Sequence, residues 1–423
     1  MTVRPPPVVL DDLASPRFSP EIDQLRAGLA DVAPLCPLEP DALCAAASEQ
    51  TGMVDFGDDQ FRVRLDVLCR ALLEEAGLSP MGVVSWYSQL VQFLKNRLLV
   101  ADLLARHPEI HDVCIARPII VCGLPRTGTT HLHNLIAADP ALRSLPYWES
   151  LEPVLPPGEQ PDPGEPDPRL ARTASALDVL NSALPYFKRM HDMTVDHVHE
   201  EIQLLAMDMS SMLFETQGLV PSWRDHFKAE DQHASYEYLR TVLKVLQWLR
   251  GGERWVLKSP QHLEQFGPLA ATFPDATFVV THRDPASVTV STATMIAYTS
   301  RLGVERLDPV AIGEYWSARD EDLFRACVSD RSLLPANQSI DILFHEFMAG
   351  DIATVGRIYE LAAQPFTDVS RSAMEVFAAQ HPRGRYGAIT YRPEVLGIDR
   401  AERYEALDFY VQRFGVQKES SPP

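Results

Sequence analysis

Apolar residues recur at three- and four-residue spacings along the N-terminal part of the chain. Between residues 20 and 106 this spacing predicts mainly helices, with core-facing segments at 61–73 and 83–104. A short alanine-rich helix is predicted at 42–48, where Asp41 follows a proline and is the expected N-cap. We therefore expect the chain to begin with a helical region.

Short apolar runs alternate with amphipathic segments in the second half of the chain, which is typical of a parallel α/β sheet. Together with an earlier apolar run at Ile119–Cys122, the predicted strands lie at 255–257, 277–281 and 340–344. The helices predicted with them lie at 261–272, 285–298 and 352–363. The pattern predicts an α/β fold with a central parallel sheet.

A proline- and glycine-rich stretch at 154–168 has no apolar period and predicts an exposed loop. Helices are predicted after it at 169–187, 200–215 and 236–250. Because these helices interrupt the strand-and-helix alternation, we expect them to form a cap or a substrate wall beside the sheet. We thus divide the chain into a helical N-terminal extension (1–110) and an α/β domain (111–423), with the helical insertion at 169–250.

The segment RPIIVCGLPRTGTTHLHNL (residues 117–135) runs from an apolar strand through a glycine turn into a helix. Backbone N–H groups at such a helix start face an anion. Gly123 and Gly128 fit the spacing of a nucleotide triphosphatase loop, but threonines follow where that loop has Lys and then Ser or Thr. The cation lies inside the loop instead, at Arg126.

A second strand, in TFVVTHRDPASVTVS, ends at Arg283 and is followed by a turn and a helix. Ligands bind at the carboxyl ends of strands in open α/β sheets. An arginine can hold a phosphate through two hydrogen bonds, and the hydroxyl of Ser291 could return to the same group.

These two segments resemble the donor-binding motifs of sulfotransferases. PRTGTT is similar to the 5′-phosphosulfate loop P-[KR]-[ST]-G-T-[ST], and the Arg283 segment is similar to the 3′-phosphate site R-[ND]-P-x-x-x-x-x-S. With LKSP at 257–260, the chain resembles the bacterial branch of the sulfotransferase superfamily over residues 117–414. The resemblance implies a P-loop-containing three-layer fold and, as co-substrate, 3′-phosphoadenosine 5′-phosphosulfate. It implies donor contacts from Pro125, Arg126, Thr127, Gly128, Thr129, Thr130, Arg283 and Ser291.

The same resemblance suggests catalytic residues. Lys258 matches the lysine of a family K-T-H-L-P pattern, but Pro260 occupies the place of its histidine, and His262 lies two positions later. In DHVHEEIQLL the rival bases are Glu200 and Glu201, with His199 beside them. The implied scheme places Arg126 and Lys258 near the transferred sulfuryl group and leaves the base open between His262 and the glutamates.

The segment HPRGRYG (381–387) resembles the family's closing R-K-G-x-x-G segment, with Pro382 in place of its first arginine. Arg383 and Gly384 match, and they are predicted to bind the donor, because basic residues and glycines together can surround a phosphate. Arg385 could substitute for the missing arginine.

The formal net charge is −20. Nucleic-acid binding is therefore disfavoured, since it needs a basic footprint. An anionic donor must then lie in a locally basic pocket. The pair His197 and His199 has no third ligand at a diagnostic spacing, so we expect no metal. The expected partner is a small-molecule, lipid or carbohydrate acceptor, and a homo-oligomer is left open.

Six cysteines are scattered without C-x-x-C pairs, which favours a reducing, cytoplasmic setting. The opening MTVRPPPVVLDDL lacks the apolar core of a secretory signal, and no apolar run is long enough for a transmembrane segment. Two alternatives to sulfuryl transfer stay open: a P-loop kinase acting on a small molecule, which would need Mg²⁺, and a catalytically silent nucleotide-binding protein.

Overall fold

The computed structural model describes residues 5–419. Its strands are, in chain order, β1 (Val8–Val9), β2 (Ile119–Cys122), β3 (Val256–Ser259), β4 (Thr277–His282), β5 (Ser339–Leu343) and β6 (Ile389–Thr390). Four of them form the central sheet in the order β3-β2-β4-β5, and every neighbouring pair is parallel. Strands β1 and β6 pair separately. The predicted strands are confirmed, with ends shifted by at most two residues.

The N-terminal region is helical, as predicted: α1 (Pro20–Gly28), α2 (Pro40–Thr51), α3 (Phe61–Glu74) and α4 (Pro80–Arg106). The prediction of Asp41 as an N-cap is wrong, because α2 begins at Pro40 and its N-cap is Glu39. Proline suits the first helical position, where its missing N–H would have had no partner. Asp41 instead lies in the first turn.

The middle of the chain supplies α5 (Thr129–Ala137), α6 (Tyr147–Leu151), α7 (Pro168–Ala183), α8 (Ile202–Ala206), α9 (Pro221–Ala229) and α10 (His233–Arg250). The prediction of one helix over 200–215 is wrong, because α8 has only five residues. The chain turns at Met209, which has a φ of 54°. The Ser211 hydroxyl donates a hydrogen bond of 2.7 Å to the carbonyl of Ile202, which competes with helix continuation.

The C-terminal part contains α11 (Phe266–Thr272), α12 (Pro285–Ser300), α13 (Pro309–Asp330), α14 (Phe344–Ala349), α15 (Asp351–Ala362), α16 (Asp368–Gln380), α17 (Arg400–Ala406) and α18 (Asp408–Phe414). The helix predicted at 261–272 is divided, since a 3₁₀ turn at Pro260–Glu264 precedes α11. The long helix α13 had no counterpart in the sequence prediction.

Both faces of the central sheet are buried. On β2, Ile119 and Val121 pack in one hydrophobic cluster, whereas Ile120 and Cys122 pack in another. Since successive strand residues point to opposite faces, the sheet lies between two layers. The α/β fold with a central parallel sheet is thus confirmed. No helix within residues 5–419 has the length and apolar character to cross a membrane.

Candidate functional site

The turn between β2 and α5 is shaped by close backbone packing. A Cβ atom on Gly123 would lie 2.0 Å from Oγ1 of Thr281, so no side chain fits there. Gly128, the N-cap of α5, has a φ of 90°, and Arg126 has a φ of 73°, which is unusual for a residue with a side chain. Thr129 and Thr130 begin α5 and line a cavity. The first N–H groups of an α-helix have no partner within the helix.

Thr127 holds this turn against the sheet. Its hydroxyl donates a hydrogen bond of 2.7 Å to the Leu124 carbonyl and lies 2.7 Å from the Thr281 hydroxyl on β4. The residue is only 1% exposed. Its side chain therefore braces the loop, and any contact with a ligand must come from the backbone.

A basic cavity of about 560 Å³ lies beside this helix start. Asp192 and Asp196 also line it, but cationic side chains predominate. These are Arg126, Lys188, Arg189, Arg283, Arg383 and Arg385. A chain with a net charge of −20 thus concentrates positive charge at one place. This is the locally basic pocket that an anionic ligand requires.

The Arg126 side chain links the turn to the far wall of the basic cavity. Its Nε donates to the Ser291 hydroxyl at 2.9 Å, and Nη1 donates to the Met190 carbonyl at 2.5 Å. Ser291 in turn donates to the Tyr391 hydroxyl at 2.8 Å. Ser291 therefore contacts Arg126, but within the described part of the chain it lines neither this cavity nor the neighbouring one.

The Arg283 guanidinium, at the carboxyl end of β4, contacts a backbone carbonyl, an aromatic ring and a carboxylate. Its Nη1 donates to the Arg126 carbonyl at 2.6 Å, and its guanidinium lies 4.1 Å from the centre of the Phe344 ring. Nε and Nη2 bind the carboxylate of Glu419 at 2.6 and 2.8 Å. The Glu419 carboxylate thus occupies Nε and Nη2 of Arg283, the two guanidinium nitrogens that could otherwise hold a phosphate.

The closing segment also reaches the basic cavity. Arg383 and Gly384 both line it, and Gly384 has a φ of 68°. A guanidinium nitrogen of Arg383 lies 3.7 Å from the Asp351 carboxylate. Arg385 pairs with Asp192. The structure therefore brings the loop, Arg283 and the closing segment to one cavity.

A second cavity of about 420 Å³, here called the apolar cavity, adjoins the first. The residues that line both cavities mark their junction: Arg126, Thr129, Thr130, Met190 and His191. Pro125 lines only the apolar cavity. Ligands in the two cavities would therefore meet beside Arg126.

The adjacent carboxylates Glu200 and Glu201 have different surroundings. Glu200 lines the apolar cavity and pairs with the buried ammonium group of Lys258 on β3. Glu201 is fully buried, where its Oε1 lies 2.8 Å from Nε2 of His262 and its Oε2 accepts a 2.8 Å hydrogen bond from the Lys258 N–H. Burial tends to raise the pKa of Glu201, but His262 and this N–H bring the pKa below its usual value.

His262 completes a closed hydrogen-bond chain. Its Nδ1 lies 2.8 Å from the Tyr236 hydroxyl, and the residue is fully buried. His262 lines neither cavity within the described part of the chain. The structure thus places Glu200 in the wall of the apolar cavity, whereas Lys258, His262 and Glu201 line neither cavity within residues 5–419.

A model of the sulfotransferase family matches residues 118–368. The chain belongs to this family. Solved structures agree with the assignment. The structure of sulfotransferase STF1 from Mycobacterium tuberculosis H37Rv is 29% identical, covers 86% of this chain and 97% of its own, and has a TM-score of 0.75. The structure of sulfotransferase STF9 from Mycobacterium avium is 25% identical in sequence and has a TM-score of 0.80. The match covers 90% of this chain and 98% of the STF9 chain. Comparison with curated proteins gave no match.

Three histidines line the sulfotransferase cavities at and near the junction. His191 lines both, His197 the basic cavity and His199 the apolar one. Burial, followed by nearby positive charge, lowers the pKa of His191 to about 3 and that of His197 to about 2. The same causes place the pKa of His199 well below its usual value, and neither of its ring nitrogens has a hydrogen-bond partner within residues 5–419. All three are therefore neutral at pH 7.

Sequence reasoning missed several residues at the basic cavity. Lys188, Arg189 and His191 line the basic cavity, and Phe344 lies under Arg283. The dipeptide Lys188-Arg189 in an acidic chain was an available signal, whereas nothing marked Phe344. Within residues 5–419, no group of three or more His, Cys, Asp or Glu side chains could hold a metal ion.

Proposed function

We propose that this sulfotransferase uses 3′-phosphoadenosine 5′-phosphosulfate as its donor and sulfates a hydroxyl or amine of a small-molecule, lipid or carbohydrate acceptor. The observation that carries the proposal is the basic cavity, where four segments distant in sequence place cations around a helix start. The adjoining apolar cavity leaves room for an acceptor beside Arg126.

The residues present fit a donor with two phosphate-bearing ends. The turn at Gly123 and the positive φ of Gly128 leave the α5 N–H groups available for the 5′-phosphosulfate. Arg283 offers a planar guanidinium at the strand end, with Arg383 and Gly384 lining the same cavity. We assign the 3′-phosphate to Arg283 and Ser291.

When bound, the donor supplies a sulfuryl group whose S–O bond to the 5′-phosphate breaks as the acceptor oxygen or nitrogen bonds to sulfur. Arg126, at the junction of the cavities, would stabilise the negative charge that develops on the phosphate side. Glu200 would accept the acceptor proton, and Lys258 would hold that carboxylate in place. We prefer Glu200 to Glu201 and His262 because it alone of the three lines a cavity.

Two further expectations remain proposals. The first is the division of the chain into an extension (1–110) and an α/β domain (111–423). Trp86 of α4 belongs to the extension but lines the apolar cavity, so the extension would contribute to the site. A cytoplasmic setting is supported by six free thiols, five of them buried.

The test is transfer by the purified full chain. With 3′-phosphoadenosine 5′-phosphosulfate and a panel of alcohols, phenols, amines and sugars, we expect sulfated product and an equal amount of adenosine 3′,5′-bisphosphate. ATP with Mg²⁺ should give no transfer. Transfer from ATP alone would indicate a kinase, and bisphosphate binding without transfer to any acceptor would indicate a silent binding protein.

A further inference from the structure

The walls of the apolar cavity restrict the chemistry of the acceptor. Arg126 and Glu200 are the charged side chains that line it within residues 5–419. Most of the remaining wall is hydrocarbon or aromatic, including Trp86, Leu180, Phe187, Met295 and Ile296. A molecule that fills this cavity must therefore be mainly apolar, since away from Arg126 and Glu200 a charged group would lose its water without gaining an ionic partner.

Three glutamine amides, those of Gln89, Gln203 and Gln217, interrupt these walls. Gln89 on α4 and Gln203 on α8 both line the apolar cavity, and Oε1 of each is buried without a hydrogen-bond partner within residues 5–419. Gln203 is only 6% exposed. Because an unpaired buried amide is costly, these groups point to a ligand that supplies a partner. A hydroxyl both donates and accepts, so it can pair with either end of an amide.

We propose that the acceptor is an uncharged, mainly apolar alcohol with a second hydroxyl that pairs with Gln203. This inference rests on the proposed function. The reacting hydroxyl loses its proton to Glu200 and its oxygen bonds to sulfur, while the S–O bond to the 5′-phosphate breaks. The products are a sulfate monoester and adenosine 3′,5′-bisphosphate, and the second hydroxyl is unchanged.

The experiment compares 1,10-decanediol, 1-decanol and D-glucose as acceptors for the full chain with 3′-phosphoadenosine 5′-phosphosulfate. The expected kcat/KM for decanediol exceeds that for glucose at least about 100-fold, because the methylene groups leave water. Gln203→Leu should lower kcat/KM for decanediol about tenfold and for decanol less than about twofold. Gln160→Leu, in the exposed loop, is the matched control.

Calorimetry with adenosine 3′,5′-bisphosphate separates the possible failures. If the bisphosphate binds but glucose is preferred, or neither alcohol is sulfated, the acceptor class is wrong while the donor assignment stands. If Gln203→Leu lowers transfer to both alcohols equally, Gln203 does not select the second hydroxyl. If the bisphosphate does not bind, the proposed function fails first.

Discussion

Glu200 and Glu201 are neighbours in sequence but meet different partners. The turn before α8 directs Glu200 to the apolar cavity and Glu201 to His262. The sequence placed both glutamates at a helix start and could not show that their surroundings differ. The difference arises because strand β3 and α10 pack behind this turn. The same limit applied to His262, whose partner Tyr236 is 26 residues away.

Replacing Glu200 with glutamine should remove the proton acceptor but keep the shape of the site. We expect kcat to fall about 100-fold or more, with bisphosphate affinity changed less than about threefold. The matched variant Glu201→Gln should instead lower the free energy of unfolding by about 1–3 kcal/mol, because it disturbs a buried hydrogen-bonded pair. Steady-state kinetics and urea denaturation of both variants test this. Equal loss of kcat without loss of stability in Glu201→Gln would reverse the assignment.

Arg283 binds Glu419, so a 3′-phosphate would have to displace this carboxylate. Glu419→Gln should therefore strengthen binding of adenosine 3′,5′-bisphosphate about tenfold. Glu405→Gln, on the exposed side of α17, makes the same change of charge away from Arg283. Calorimetry of the two variants distinguishes local competition from a general charge effect. Unchanged or weaker binding in Glu419→Gln would show that the two groups do not compete.

His197 predicts a defined pH dependence of stability. Its pKa is about 2 in the folded chain, against 6.5 when exposed. As the pH falls below 6.5, the unfolded state takes up this proton and the folded state does not, so stability is lost on acidification. His197→Gln should reduce the slope of unfolding free energy against pH, between pH 6 and 4, by about 1.4 kcal/mol per unit. An unchanged slope in urea titrations would contradict the lowered pKa.

At the scale of elements, the strands were predictable because their apolar runs are buried on both faces. The end of α8 was not predictable in this way. A helix was predicted over 200–215, but the Ser211 hydroxyl and the Met209 backbone end α8 early. Helical spacing detects a buried face, but it does not detect a side chain that competes for a backbone carbonyl. Sequence patterns also found the β2–α5 turn, because contact with Thr281 requires a glycine at position 123 and the φ of 90° favours one at position 128.

Helix α4 meets the turn after α12 at the edge of the apolar cavity. A Cβ atom on Gly82 would lie 1.9 Å from the Gly303 carbonyl oxygen. Gly82→Ala should thus lower the free energy of unfolding by about 1–3 kcal/mol, since the backbones must separate. Gly28→Ala has open space and should be neutral or stabilising by up to about 1 kcal/mol. Thermal or urea unfolding of both variants measures this. A similar decrease in the free energy of unfolding in both variants would show that the Gly82–Gly303 contact is not the cause.

At the scale of the whole molecule, charge is distributed unevenly. The chain carries a net charge of −20, yet one cavity gathers cations from the β2–α5 turn, the 188–189 pair, the end of β4 and the 383–385 segment. The sequence predicted that such a cavity must exist and named part of it. The helical insertion was expected as a cap or substrate wall, but the sequence could not predict that α4 also lines the apolar cavity, because those contacts exist only after folding.

The most direct test is calorimetry of the full chain with adenosine 3′,5′-bisphosphate, 5′-AMP and, separately, ATP with Mg²⁺. We expect tight binding of the bisphosphate and weak binding of ATP. Arg283→Ala should weaken binding of the bisphosphate about 100-fold and binding of 5′-AMP less than about threefold. Tight ATP binding without bisphosphate binding would contradict the donor assignment, and equal losses for both adenosine ligands would remove Arg283 from the 3′-phosphate site.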